Sequence, residues 1–155
     1  MARTYDADFR LATETDAGGS PVAFQYDNDG LLTGAGALTI TRDPATGFVT
    51  SSTLGSTTET RTYDPSYGEE QSYTVKFNST TLYSVDYGTR DALGRIVTKT
   101  ETIQGETHTY VYGYDCRNPL SDVSKCGVAI SHYDYDANGN RLTATRQCNG
   151  ASALI

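Results

Sequence analysis

The chain has 155 residues, a net charge of −7 and an isoelectric point of about 4.6, the length of one domain. Such acidity, with Lys and Arg scattered, excludes a binder that works by neutralising phosphates. No apolar run approaches the ~18–20 residues of a membrane span, and Met1-Ala2-Arg3-Thr4-Tyr5 holds no signal-peptide core, although an export signal could lie upstream.

Aliphatic residues are few: Leu, Ile, Val and Phe total 27. With this charge that level suggests disorder. Against disorder, 24 Thr and 12 Tyr recur in alternation with other residues. Tyr73, Val75 and Phe77 fall on one face of a strand. Tyr83, Val85 and Tyr87 do the same, as do Tyr110, Tyr112 and Tyr114. A period of two marks half-buried strands, and no helical period is sustained, so an all-β chain is expected.

Along the chain a turn word recurs. Tyr5-Asp6-Ala7-Asp8-Phe9-Arg10-Leu11 is a degenerate first copy without Gly. Gly18-Gly19-Ser20-Pro21 reads as a loop between repeats. Asp27 and Gly30 frame the second turn, and Gly34-Ala35-Gly36 follows as a less regular stretch. Asp43-Pro44 to Gly47 and Asp64-Pro65 to Gly68 are the third and fourth turns. Asp91 to Gly94 is the fifth, preceded by Arg90 instead of Tyr. Tyr114-Asp115 opens a degenerate sixth copy, with Arg117 to Val128 read as an insertion. Asp136 to Gly139 closes the series. Starts at 5, 26, 42, 63, 90, 114 and 135 give a mean spacing of about 22 residues, the sign of a stacked repeat array. In these words Asp caps its own backbone, Pro presets φ in Asp43-Pro44 and Asp64-Pro65, and Gly, where present, supplies the positive φ that closes a hairpin.

These words resemble the YD repeats of the Rhs family, of insecticidal toxin-complex shells and of teneurins, whose pattern is roughly Tyr-x-Tyr-Asp-x-x-Gly-Arg-Leu-Thr. Tyr133 to Thr143 matches with one extra residue before Arg141, and Arg90 to Thr98 matches with Arg for Tyr. The resemblance covers about residues 3 to 146. It implies tandem antiparallel hairpins in a spiralling or curved sheet, about seven repeats over 1–146, with 147–155 a tail or truncated continuation. In large relatives such a sheet closes as a shell around a toxic polypeptide. The family's self-cleaving C-terminal core is absent from 147–155, so that activity does not carry over.

Other chemistry is weighed against ordinary structure. Cys116 and Cys126 flank a nine-residue loop and either form a disulfide or remain two reduced thiols; Cys148 is left odd. His108, His132 and the three Cys lack any zinc-finger spacing. Asp134, Asp136 and Asn138 open like an EF-hand loop, yet Thr145 occupies the place of the bidentate Glu. They are therefore weak calcium candidates. Asn78-Ser79-Thr80 is a glycosylation sequon placed at a hairpin tip. No nucleophile, metalloprotease or phosphate-loop motif occurs, so neither catalysis nor a cofactor is expected.

The expected role is a non-catalytic wall of a secreted or surface-displayed protein, with neighbouring repeats or the rest of a larger chain as partners. Two alternatives remain open. Exposed Tyr and Thr faces could bind carbohydrate, and unpaired sheet edges could self-associate into fibres.

Overall fold

The chain reverses at each Asp-to-Gly word, and the runs between them extend. In the computed structural model, residues 1–117, 119–148 and 151–154 are described, with the backbone alone for 147, 148 and 151–154. The first strands are β1 (Ala2–Tyr5), β2 (Leu11–Thr15), β3 (Val22–Tyr26), β4 (Leu32–Ala35) and β5 (Leu38–Arg42). Then follow β6 (Val49–Leu54), β7 (Thr57–Tyr63), β8 (Glu70–Phe77), β9 (Thr80–Asp86) and β10 (Thr98–Ile103). The last are β11 (Glu106–Tyr114), β12 (Leu120–Lys125), β13 (Val128–Tyr135), β14 (Arg141–Cys148) and β15 (Ala151–Leu154). The described residues contain no helix.

All 15 strands form one antiparallel meander in strict sequence order, β1 to β15. Each strand touches only its sequence neighbours, so stability is a sum of local interfaces, as in other repeat arrays. The Asp turns all join an odd strand to the following even one, and therefore share one edge of the ribbon. The opposite edge carries two-residue turns that the sequence reading overlooked. Gly36-Ala37 and Gly55-Ser56 place a positive-φ Gly first, as a type II′ turn requires. Gln104-Gly105 and Cys126-Gly127 are positive at both residues, as in type I′.

The two faces differ. One carries Arg61, Tyr73, Val85, Glu101 and His108, each set opposite the next along the ladder, and Tyr110 opposite Lys99. The other carries hydroxyl pairs, including Thr4 with Thr13 at 2.6 Å, Thr62 with Ser72 at 2.7 Å and Thr102 with Thr107 at 2.9 Å. Apolar burial is slight. Among the described residues only Val85 and Ala144, 3% and 5% exposed, count as buried hydrophobics. Cross-strand pairs and backbone ladders therefore carry the fold in place of a thick core.

Two sequence expectations change, and the open alternative at the cysteines is decided. The supposed insertion, Arg117 to Val128, contains the regular strand β12 and its hairpin turn. Its polar alternation, Ser121-Asp122-Val123-Ser124, hid a strand that has one solvated face. Gly34 and Ala35 lie in β4, leaving only Gly36-Ala37 as the turn. Cys116 and Cys126 are free and exposed, not bridged. β12 separates them, and its six residues span about 20 Å, far beyond disulfide reach. Of the expected tail, residues 147 and 148 end β14 and Ala151–Leu154 form β15.

Candidate functional surface

The edge that carries the Asp turns is a repeated device. In each turn the Asp N–H donates to a carbonyl four or five residues on. Asp27 reaches Leu31, Asp43 reaches Phe48 and Asp136 reaches Asn140. The turn Gly N–H returns to the Asp carbonyl, as from Gly30, Gly47, Gly68, Gly94 and Gly139. The Asp side chain accepts the remaining turn amides. Asp91 Oδ1 takes those of Leu93 and Arg95, and Asp64 Oδ1 takes those of Ser66 and Tyr67. These bonds favour the ionised form. The Thr46 amide is the largest influence holding Asp43 below the usual carboxylate range, and the Arg95 side chain plays that part for Asp91. The Pro-containing turns are one residue longer, and Pro44 and Pro65 directly follow the Asp, where a fixed φ suits the turn.

The five turn Gly residues have φ between 71° and 83°. The first copy makes the same turn without Gly: Phe9 takes the left-handed position at φ 60°, and its N–H meets the Asp6 carbonyl at 3.1 Å.

The residue before each Asp links one repeat to the last. The Tyr26 hydroxyl donates to the Leu11 carbonyl at 2.9 Å, Tyr63 to Val49 at 2.9 Å, Tyr114 to Ile96 at 2.6 Å and Tyr135 to Leu120 at 2.7 Å. Where Arg replaces Tyr the rung persists. Arg42 Nε donates to Leu32 at 3.1 Å, and Arg90 Nη2 donates to Glu70 at 3.2 Å. Both arginines also grip their own turn, at the carbonyls of Gly47 and Gly94. Arg has the reach and the number of donors to do both.

A second contact runs in parallel. The residue after each left-handed position leans toward the next repeat. The Arg10 guanidinium lies 4.9 Å from the Tyr26 ring centre, the Phe48 ring packs tilted against Tyr63 at 4.9 Å, and the Arg95 guanidinium lies 4.2 Å from the Tyr114 ring centre. Where the rung is Arg90, the residue in that position is Glu69, at 2.9 Å. The same side chains cover the next turn's Gly. A Cβ added at Gly68 would come within 2.9 Å of the Phe48 ring. At Gly47 it would meet Leu31 at 3.0 Å, and at Gly94 it would meet Glu69 at 3.1 Å. Gly is thus required twice there, for φ and for room.

Other sequence candidates are dispersed. Asp134 accepts from Thr143 at 2.5 Å and meets His132 Nε2 at 3.2 Å. Asp136 and Asn138 belong to the turn, with Asp136 capped by the amides of Asn138 and Asn140 and by the Asn140 side chain. The carboxylates of Asp134 and Asp136 are thus each engaged by protein donors, Asp134 across to β14 and Asp136 within its turn. His132 Nδ1 meets Asp122 at 2.6 Å, so the ring bridges β12 and β13. His108 lies elsewhere, 3.9 Å from Cys126 Sγ. The five zinc-type residues do not converge: among the described residues no group of three suits a metal, and the side chain of Cys148 lies outside those described. Asn78 stands exposed at the tip between β8 and β9, at φ 53°. A cleft of about 510 Å³ opens between the Asp64 and Asp91 turns, lined by Tyr67, Glu69, Gln71, Tyr87 and Arg90. Its arginine is already held by Glu69 and two carbonyls.

The profile of the Teneurin YD-shell family matches residues 1–154. The chain belongs to this family. No curated protein sequence matches. Among solved structures, the sheet is similar to one of the Photorhabdus luminescens Tc holotoxin pore, carrying a TccC3 D651A mutation. That match has a TM-score of 0.78 and 17% identity, over 99% of this chain and 9% of the other. A crystal structure of TcdB2-TccC3-Cdc42 matches at a TM-score of 0.43 and 11% identity, over 99% of this chain and 12% of the other. This YD-shell chain thus spans a small part of the length of the solved chains it resembles, and at such identity the likeness concerns the fold. Among the described residues no helix is long and apolar enough to cross a membrane.

Proposed function

We propose that this YD-shell segment is a passive, non-catalytic wall, part of an extracellular or surface-displayed shell continued by further repeats of a larger chain. The inter-repeat rung ladder carries the reading. Tyr26, Arg42, Tyr63, Arg90, Tyr114 and Tyr135 each commit a side-chain donor to the preceding repeat. Residues committed to holding neighbours together serve a wall. Similarity to a stretch of the Tc holotoxin pore supports the same reading, and enclosure of a cargo would be the role of such a wall.

Tyr112 tests the wall against a carbohydrate-binding face. Its ring is half-buried and stacks on Tyr110 at 6.4 Å between centres. Replacing Tyr112 with Ala should cost about 2 kcal/mol, between an exposed site and a fully buried aromatic. Urea denaturation measures it. A Tyr112→Ala variant of unchanged stability that has lost affinity on a glycan array would overturn the wall in favour of sugar binding.

A further inference from the structure

We propose that the turn edge from Asp27 to Asp91 is a docking groove for an extended basic peptide, one that carries Lys or Arg at every third residue. Three clefts lie side by side along this edge. They measure about 620, 640 and 510 Å³ and fill the gaps between the Asp27, Asp43, Asp64 and Asp91 turns. Their walls include apolar and aromatic side chains: Leu31 and Ile40 in the first, Phe48 in the second and Tyr87 in the third. Tyr67 lines both the second and the third and is 85% exposed.

The carboxylates along this row differ from those of the other turns. At Asp6, Asp27, Asp43, Asp64, Asp91 and Asp136, Oδ1 accepts amides of its own turn. The residue after the left-handed position decides the fate of Oδ2. Arg10, Arg95 and Asn140 take it at Asp6, Asp91 and Asp136, at 2.8, 2.7 and 2.9 Å. At Asp27, Asp43 and Asp64 that residue is Leu31, Phe48 or Glu69, a hydrocarbon or a carboxylate with nothing to donate. Oδ2 of Asp27 and of Asp43 therefore has no partner among the described residues, and Oδ2 of Asp64 has only the Gln71 amide at 3.4 Å. The arginines that line the clefts are engaged elsewhere. Arg42 holds two carbonyls, Arg61 pairs with Glu59 and Glu70, and Arg90 holds Glu69 and two carbonyls.

The spacing selects the partner. Successive Asp turns are two strands apart, roughly 9.5 Å. A polyproline II helix rises about 3.1 Å per residue with about three residues per turn, so every third side chain returns to one face after about 9.3 Å. Lys or Arg at three such positions meets the open oxygens of Asp27, Asp43 and Asp64 in order. The Pro rings between them lie in the clefts, against Phe48 and Tyr67. The net charge of −7 draws such a cation from a distance, and added salt weakens the contact.

This goes beyond the wall reading and does not depend on it: failure of the peptide leaves the rungs and the Tyr112 result as they are. The test is a titration of the 155-residue chain, followed by amide NMR shifts, with the nonapeptide Lys-Pro-Pro-Lys-Pro-Pro-Lys-Pro-Pro. Its isomer Lys-Lys-Lys-Pro-Pro-Pro-Pro-Pro-Pro has the same charge without the spacing. Amides of residues 27–31, 43–48 and 64–69 should shift, and the isomer should bind roughly tenfold more weakly. Asp27→Asn, Asp43→Asn and Asp64→Asn each keep an Oδ1 that caps the turn. Each should weaken the spaced peptide about threefold, and the triple variant roughly tenfold or more, the scale of exposed ion pairs. Tyr67→Ala leaves every turn cap in place and should weaken it as well. Asp16→Asn removes a charge from the loop between β2 and β3, on the opposite edge, and should leave binding unchanged. Absence of shifts, equal binding of the two isomers, an unaffected triple variant or an equal loss from Asp16→Asn overturns the proposal. So do shifts of these amides with chain concentration alone, which give the groove to a second copy.

Discussion

The Tyr63 hydroxyl donates to the Val49 carbonyl, 14 positions earlier, at 2.9 Å. Val49 begins the strand that leaves the previous turn, so the bond ties two successive Asp turns along one edge. The Phe48 ring lies against Tyr63 from the same side. The Tyr of the Tyr-Asp word is therefore a tie between repeats, while the Asp closes the turn itself.

Removing the hydroxyl alone tests the tie. Tyr63→Phe keeps the ring contact with Phe48 and forfeits one hydrogen bond, an expected loss of about 0.5–1.5 kcal/mol. Chemical denaturation of the variant reads it directly. No change would mean that water replaces the rung without loss.

Arg90 should be harder to replace. It holds Glu70, Gly94 and Glu69 together through three different nitrogens. Arg90→Lys offers one ammonium where the planar fork made several fixed contacts. It should lower the denaturation midpoint almost as far as Arg90→Ala does. A fully stable Lys variant would show that charge, not geometry, matters at this joint.

Two Gly positions separate backbone strain from crowding. Gly68 and Gly139 have φ of 71° and 83°. Ala in the left-handed region costs about 1–2 kcal/mol at either. Only at Gly68 does the new Cβ also collide with the Phe48 ring, while at Gly139 nothing lies within 4 Å. Gly68→Ala should therefore destabilise more than Gly139→Ala. Adding Phe48→Ala to each should narrow the gap. Equal losses, unaffected by Phe48→Ala, would count against the crowding.

His132 gives the sheet a pH-dependent contact. Hydrogen bonds to Asp122, then to Asp134, hold its pKa above the ordinary value. His132 first, with Ser121, holds Asp122 low, while Thr143 and then His132 hold Asp134 low. A raised His pKa contributes stability below its unfolded value, near 6.5, which is lost as pH rises through the folded one. The depressed Asp values contribute above about 4, and that part is lost as pH falls through the folded ones. The contact is thus complete between about pH 4 and 6.5. A melting-temperature profile should decline above that window, and His132→Gln should flatten the decline. An identical slope in the variant would assign the decline to other groups.

The local words were legible because their chemistry is local. An Asp that caps amides two to four residues on, and a Gly that turns with positive φ, act within one short segment, so Asp27-Gly30 or Asp136-Gly139 announces its hairpin. Alternating Tyr and Thr likewise reveals a strand with two faces. The far-edge turns at Gly55, Gly105 and Gly127 offered a signal too, Gly between alternating runs, which went unread. Phe9 in a left-handed turn offered none, because only the surrounding bonds force it there. The rest belongs to register. Which carbonyl Tyr63 finds, why Arg can serve at 42 and 90, why Asp134 turns to His132, and why Cys116 and Cys126 stand at opposite edges all depend on how strands from different repeats align. Sequence alone determines each hairpin; the pairing of one hairpin with the next, made by residues 10 to 20 positions apart, is decided only in the assembled sheet.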